Sequence, residues 1–468
     1  MIRSHMLAMG IALALASGTA LAAGEMEMDA AVAEAQAEAA YTGAARLETR
    51  LPRFDLARLG APSAFEVASL RARRQQQLKQ GQPLEVGMPR EVGKLQDVTS
   101  RLGWERLGDG RLATRFDVGS QGAVALRASL NFLWQGNALA SARGNAASLR
   151  AALDGMTLRF QGADETFEFA GRDLPVDEET WSPVVSGDTL AIEVVLARGT
   201  DPAALAIRVA QLSHLDIDPK AGDAEIQAKI GESDSCERDI VCRTSPPSGF
   251  RSTADAVARM VFTQGGSSYL CTGTLLNNSN VPRKPMFWSA NHCISTQSVA
   301  NTLQTYWFYE ATTCGGLTAS SRLRTLTGGA TLRHRNTARD TLLLELKTTP
   351  PAGAVYAGWN SSAIGAVNTS IEGIHHPAGD VKMYSLGRVD LLSGNIDGRG
   401  PFYRVRWSTG VTEGGSSGSG LFTVNSSGAY QLRGGLYGGL SFCSAPTDPD
   451  YYSRLADVWT SIQPYLSP

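Results

Sequence analysis

All six cysteines of this 468-residue chain fall after residue 235: Cys236, Cys242, Cys271, Cys293, Cys314 and Cys443. An even set confined to one half of an exported chain reads as three disulfides, and so as a stapled C-terminal module behind a cysteine-free N-terminal half. Spacing alone does not choose among the possible pairings. The rival reading, a metal site or reduced thiols, is disfavoured because no CxxC pair is present.

Export is read from the start of the chain. Arg3 and His5 form a short polar region, Met6 to Ala16 is apolar, and Ala20-Leu21-Ala22 supplies small residues for signal-peptidase cleavage after Ala22. The chain is therefore expected to be secreted. No apolar run of about 18 residues follows, so no permanent membrane span is expected. With 43 basic and 45 acidic side chains, the net charge of −2 argues against a nucleic-acid partner. At 43% hydrophobic and 19% charged, the composition is globular, and the length suits two or three domains.

Four segments are expected: a signal peptide over 1–22, a helical or loosely structured pro-segment over 23–109, a β-rich domain over 110–229, and a cysteine-bearing domain over 230–468. Ala30 to Ala40 and Ala64 to Gln80 read as helices or, equally, as solvated linker, the second with a basic end at Arg71, Arg73 and Arg74. Alternating apolar residues in 123–130, 157–160 and 189–196 predict strands of a β-sandwich. Its one histidine, His214, reads as structural. A cysteine-free β-domain between a signal and a stapled domain reads as a propeptide. Asp218 to Lys229 is polar and turn-rich, which places the boundary there. Beyond it, short strands such as 305–309 predict an all-β barrel fold.

Chemistry concentrates in three segments: Ser289-Ala290-Asn291-His292-Cys293, Asp340-Thr341-Leu342-Leu343, and Gly414-Gly415-Ser416-Ser417-Gly418-Ser419. His292, Asp340 and Ser417 follow one another at gaps of 48 and 77 residues, in the His–Asp–Ser chain order of one type of serine-protease triad. A serine hydroxyl needs an imidazole to take its proton, and the imidazole needs a carboxylate to fix its tautomer. The flanking glycines permit a tight turn, with the N–H groups of Gly415 and Ser417 as an oxyanion hole. Gly414 to Gly418 also fits the G-x-S-x-G elbow, with Ser416 as nucleophile. That fold needs a histidine after the serine, and the last histidine here is His376. His375 and His376 do not suit one metal ion, because adjacent strand residues point to opposite faces. His334 reads as surface. No cofactor or metal is expected.

These segments resemble the trypsin-like serine proteases, most closely the bacterial lysyl endopeptidases, over about Gly231 to Leu466. The resemblance also rests on Cys271-Thr272-Gly273-Thr274-Leu275, Ile374-His375-His376-Pro377 and Gly410-Val411-Thr412-Glu413. It implies a two-barrel chymotrypsin-like fold with the active site between the barrels. It implies the disulfides Cys236–Cys443, Cys242–Cys314 and Cys271–Cys293. It further implies hydrolysis after basic residues, lysine above all, with Asp450 as the acidic pocket residue and Glu413 beside it. Asp448 reads as a solvated acidic turn, and the alternatives are a trypsin-like or broader-specificity secreted serine protease or a non-catalytic binding protein on the same fold. The expected partners are protein or peptide substrates and the chain's own propeptide, with the protease a monomer.

Two departures stand out. Tyr437 occupies the place of a histidine near the catalytic one, and no tryptophan in Asp390 to Gly400 matches the residue that stacks there. Ser416 stands where trypsin-type enzymes carry an aspartate that pairs with the freed N-terminus, so activation by that ion pair is not expected. Maturation is expected after Lys229, leaving Ile230-Gly231-Glu232 as the new terminus.

Overall fold

The computed structural model describes residues 26–33, 45–80, 83–92, 101–134, 142–176, 178–217, 233–316 and 318–468. The expected signal peptide and the cut after Lys229 lie outside the described residues. Among the described residues, no helix is long and apolar enough to cross a membrane.

The N-terminal domain is a β-sandwich. One sheet pairs Asp55–Leu59, Leu112–Ser120, Thr189–Leu196, Thr157–Gln161 and Thr166–Ala170 in that order. The other contains Ala125–Trp134, Leu205–Leu215 and Leu84–Glu91. Phe116, Leu126, Leu130, Phe160, Ile192 and Ile207 fill the space between them. Alternation puts these apolar side chains on the inner faces.

The helix expected over Ala64 to Gln80 forms at Ala64–Gln80. It starts at a capping box: Glu66 N donates to Ser63 Oγ, and Ser63 N donates to Glu66 Oε2 at 2.7 Å. Its basic end is not free in solvent. Arg73 grips the buried Glu85 through two nitrogens, and Arg74 reaches Asp216 at 2.6 Å.

Two expectations for 23–109 need correction. Asp55–Leu59 and Leu84–Glu91 are sandwich strands, so the domain begins well before 110. Ala31–Val32, at the start of the stretch read as a helix or linker, is a strand paired with Val355–Tyr356, and residues 34–40 of that stretch lie outside the described residues. Just before it, Glu27–Met28 pairs with Trp359–Asn360. Ala-rich propensity is a weak prior, and here edge pairing with the C-terminal domain overrides it.

The C-terminal domain holds two barrels. In the second, Tyr430–Gly439, Gly420–Val424, Ser370–His375, Met383–Ile396, Arg399–Thr409 and Asp450–Tyr452 pair in succession. Asp450–Tyr452 then pairs back onto Tyr430–Gly439, closing the ring. The first is built from seven strands between Val257 and Leu346 around Met260, Phe287, Trp307 and Leu344. Trp288, Trp359 and the C-terminal helix Trp459–Leu466 pack between the two barrels.

The two domains share one sheet. Leu84–Glu91 lies between Leu205–Leu215 and the first-barrel strand Ser267–Leu276, so the sandwich sheet runs on into the barrel. Arg127 crosses this junction fully buried. It donates to Ser182 O on its own side and to Thr263 Oγ1 and Thr302 O on the other.

Candidate active site

Strand pairing brings His292 and Asp340 together. Met286–Ser289 and Thr341–Leu346 are antiparallel neighbours, with Ser289 opposite Leu342. His292 follows the end of the first and Asp340 precedes the start of the second. Asp340 Oδ2 lies 2.6 Å from His292 Nδ1, and Asp340 Oδ1 accepts from His292 N at 2.8 Å. Asp340 is buried, and its φ of 49° is a left-handed conformation that costs free energy and recurs at functional sites. His292 Nε2 has no hydrogen-bond partner among the described residues. The arrangement orients one imidazole nitrogen and leaves the other available as a base.

Ser417 comes from the other barrel, in the loop between Arg399–Thr409 and Gly420–Val424. Thr272 N donates to Ser417 O at 2.9 Å, and Cys293 Sγ lies 3.8 Å from the same oxygen. The serine is thereby fastened beside the turn carrying His292. The Cys271–Cys293 disulfide stiffens that place from below, while Cys242–Cys314 and Cys236–Cys443 tie the start of the domain down. Gly415 has φ +96°, and a Cβ there would sit 3.0 Å from His376 O, so the loop requires glycine at this point.

Asp450 is buried and ringed by donors. Its Oδ2 accepts from Trp407 Nε1 at 2.6 Å, Thr412 Oγ1 at 2.7 Å and Ser441 Oγ at 2.6 Å. Burial pushes its carboxyl up, and the donors oppose that shift by stabilising the anion. Gly439 flanks it, where a Cβ would lie 2.1 Å from Asp450 Oδ1. Asp448 is exposed. Glu413 turns elsewhere: its Oε1 accepts from Asp234 N at 2.9 Å. Burial raises the Glu413 carboxyl to about 7.

Other candidates fall as follows. His375 and His376 point apart: His375 contacts Ser416 and Ser385, whereas His376 Nδ1 contacts Asp380 O. His214 is buried against Ser120 Oγ at 2.9 Å. His334 is half-buried on the strand Ala330–Asn336 rather than at the surface, and burial lowers its imidazole. Tyr437 meets His292 edge-on at 5.7 Å between ring centroids, and Phe402 stacks on Tyr437 at 5.1 Å. The sequence reading missed Phe402, Trp407 and Ser441. Phe402 and Tyr437 lie on Arg399–Thr409 and Tyr430–Gly439, strands that each pair with Asp450–Tyr452 rather than with each other, so no local sequence signal exposes Phe402.

The family description "Lysyl endopeptidase, C-terminal domain" matches residues 230–453, and "Lysyl endopeptidase N-terminal domain" matches residues 58–216. With the two-barrel fold, these matches define the class: a serine endopeptidase of chymotrypsin-like architecture. The lysyl endopeptidase of Pseudomonas aeruginosa is 46% identical over 382 residues, covering 80% of this chain and 79% of that protein. The chain belongs to the lysyl endopeptidase family. Among solved structures it is similar to the active form of a protease from M. tuberculosis (15% identity, TM-score 0.32, 47% of this chain and 85% of that one). It is also similar to an HtrA-type protease with a tripeptide (16% identity, TM-score 0.32, 45% of this chain and 61% of that one).

Proposed function

We propose that the protein is a secreted lysyl endopeptidase made as a precursor, with Ser417 as nucleophile, His292 as general base and acid, and Asp340 as the residue orienting it. The observation that carries this reading is the double hold of Asp340 on His292, with Ser417 O held by Thr272 N beside the Cys271–Cys293 disulfide at the same corner. Ser417 Oγ attacks the scissile carbonyl as its proton passes to His292 Nε2. The N–H groups of Gly415 and Ser417 stabilise the tetrahedral oxyanion, and His292 returns the proton to the leaving amine. Water then takes the same path through the acyl-enzyme.

Asp450 receives the lysine ammonium. Its donor ring supports a carboxylate that can stay ionised while buried. The N-terminal domain is a propeptide released by cleavage after Lys229. The shared sheet supports a role in shaping the first barrel. Three disulfides accord with an oxidising destination outside the cell.

Ser417→Ala tests the assignment. The protein should fold and form its disulfides, yet peptide hydrolysis should fall to the residual level that binding and the oxyanion hole support, about 10³–10⁴ over water. Normal turnover by that variant would refute the assignment. Ser416→Ala should retain the nucleophile.

A further inference from the structure

We infer that His375 is a positioning residue for the oxyanion loop, gripping Ser416 so that the N–H groups of Gly415 and Ser417 face the substrate. The inference rests on the proposed role of Ser417 and names what holds its loop.

The loop is pinned at three successive carbonyls. Gly414 O accepts from Ala378 N at 2.8 Å, Gly415 O from Thr272 Oγ1 at 2.9 Å, and Ser416 O from Ser419 N at 3.0 Å. In a trans peptide the N–H points opposite to the C=O. Holding the carbonyls of Gly414 and Ser416 therefore aims the amides of Gly415 and Ser417 the other way. The donor Ala378 belongs to the turn Pro377–Gly379 that follows directly on His375 and His376. Arg259 holds that turn in place by donating to Gly379 O. The segment from His375 to Gly379 is thus a cradle under the loop.

Within the cradle, the side-chain bonds run in one direction. Ser385 Oγ donates to Val411 O, so it must accept from His375 Nε2, 2.8 Å away. Nε2 then carries the proton, and Nδ1 is the acceptor for Ser416 Oγ–H at 2.8 Å. Ser416 Oγ in turn accepts from Glu413 N at 3.2 Å. Each step fixes the next, from a carbonyl of the second barrel to the residue before the nucleophile. The imidazole is fully buried, and burial pushes it down to about 3, so it stays neutral. The Glu237 carboxyl faces Nε2 at 4.0 Å. It is raised well above the usual range by burial and by Glu413, Asp450 and Asp380. The loop is therefore held by an uncharged chain built into the barrel, where an aspartate at position 416 would need a cation.

The test compares kcat and KM of His375→Phe, Ser416→Ala, their double variant and His375→Gln, each with its thermal midpoint. Phe fills the space but neither accepts nor donates, whereas Gln offers an acceptor and a donor at similar separation. His375→Phe and Ser416→Ala should each lower kcat by about 10-fold or more, with KM nearly unchanged. That is a fraction of the about 10²–10³ seen when an oxyanion donor is removed. The double variant should be no worse than the worse single, because both cut one chain. His375→Gln should recover most of kcat. If His375→Phe fails to fold, Ser416→Ala and His375→Gln decide. Normal kcat in a folded His375→Phe or Ser416→Ala, multiplying effects in the double variant, or a His375→Gln no better than Phe would overturn the inference. Ser417→Ala stands as the separate control: activity there overturns the nucleophile, whereas inactivity there with normal kcat in Ser416→Ala overturns the role of His375 alone.

Discussion

Asp340 holds His292 with both carboxylate oxygens, one on the ring at 2.6 Å and one on the backbone N–H at 2.8 Å. Asp340→Asn keeps the volume but can present an N–H₂ group to Nδ1, which favours the wrong tautomer. We expect kcat to fall by about 10⁴ while the fold persists, by analogy with the same change in other triads. Steady-state kinetics beside circular dichroism checks this, and a loss under tenfold would contradict the orienting role.

Glu413 links catalysis-side burial to pH. Its carboxyl is raised to about 7, chiefly by burial, with Asp234 and Asp380 as nearby like charges, while the Asp234 N–H opposes the rise. A carboxyl whose folded pKa exceeds its unfolded one contributes stability below the unfolded value, lost as pH rises through the folded one. The window runs from about 4.5 to about 7. Glu413→Gln should remove that loss across the window, worth on the order of 3 kcal/mol. Thermal midpoints from pH 4 to 8 read it out, and parallel curves for the two proteins would contradict it.

Arg127 is the buried bolt between the two domains. Burial lowers its guanidinium to about 10, and its three hydrogen bonds go to oxygens rather than to a carboxylate. Arg127→Ala leaves Thr302 O without that donor and opens space at the junction. Each unsatisfied buried group costs about 1–3 kcal/mol. The N-terminal domain should therefore bind the protease domain about 10–100-fold more weakly after cleavage. Retention of the cleaved domain on a tagged protease domain measures it, and unchanged retention would show that the shared sheet alone suffices.

Processing provides another check. Secreted active enzyme should begin Ile230-Gly231-Glu232, and a Ser417→Ala precursor should stay uncut if the cleavage is autocatalytic. Active enzyme with the sandwich domain still covalently attached would reject the propeptide role.

Much of the fold was legible because it rests on local pattern. The strand 189–196 and the helix Ala64–Gln80 carry their periodicity and cap in the sequence, and they form where the pattern places them. Leu84–Glu91 did not announce itself: it contains a glycine and a proline, and its stability comes from strands on both sides, one in another domain. Ala31–Val32 is likewise a strand only because Val355–Tyr356 offers an edge. In the candidate site, His292, Asp340 and Ser417 stand out by motif and order, and strand pairing brings the first two into contact. The donors around Asp450 do not stand out, since Trp407 and Ser441 lie 43 and 9 residues from it and meet it only through barrel closure. His375 was visible as a motif without a role, because its meaning is the hydrogen-bond direction set by Ser385 and Val411.

Lysine specificity is the central claim, and Asp450→Asn tests it most directly. The change removes the charge at nearly constant volume, and the turnable hydroxyls of Thr412 and Ser441 can adapt to the amide. Matched peptides with Lys, Arg or Leu before the scissile bond give kcat/KM for both proteins. The wild type should prefer lysine, whose compact ammonium meets a buried carboxylate as a point charge. Asp450→Asn should lose about 2–5 kcal/mol of transition-state binding for lysine and little for leucine. An intact lysine preference in Asp450→Asn would contradict the account and pass the role to another acid, with Glu413 first.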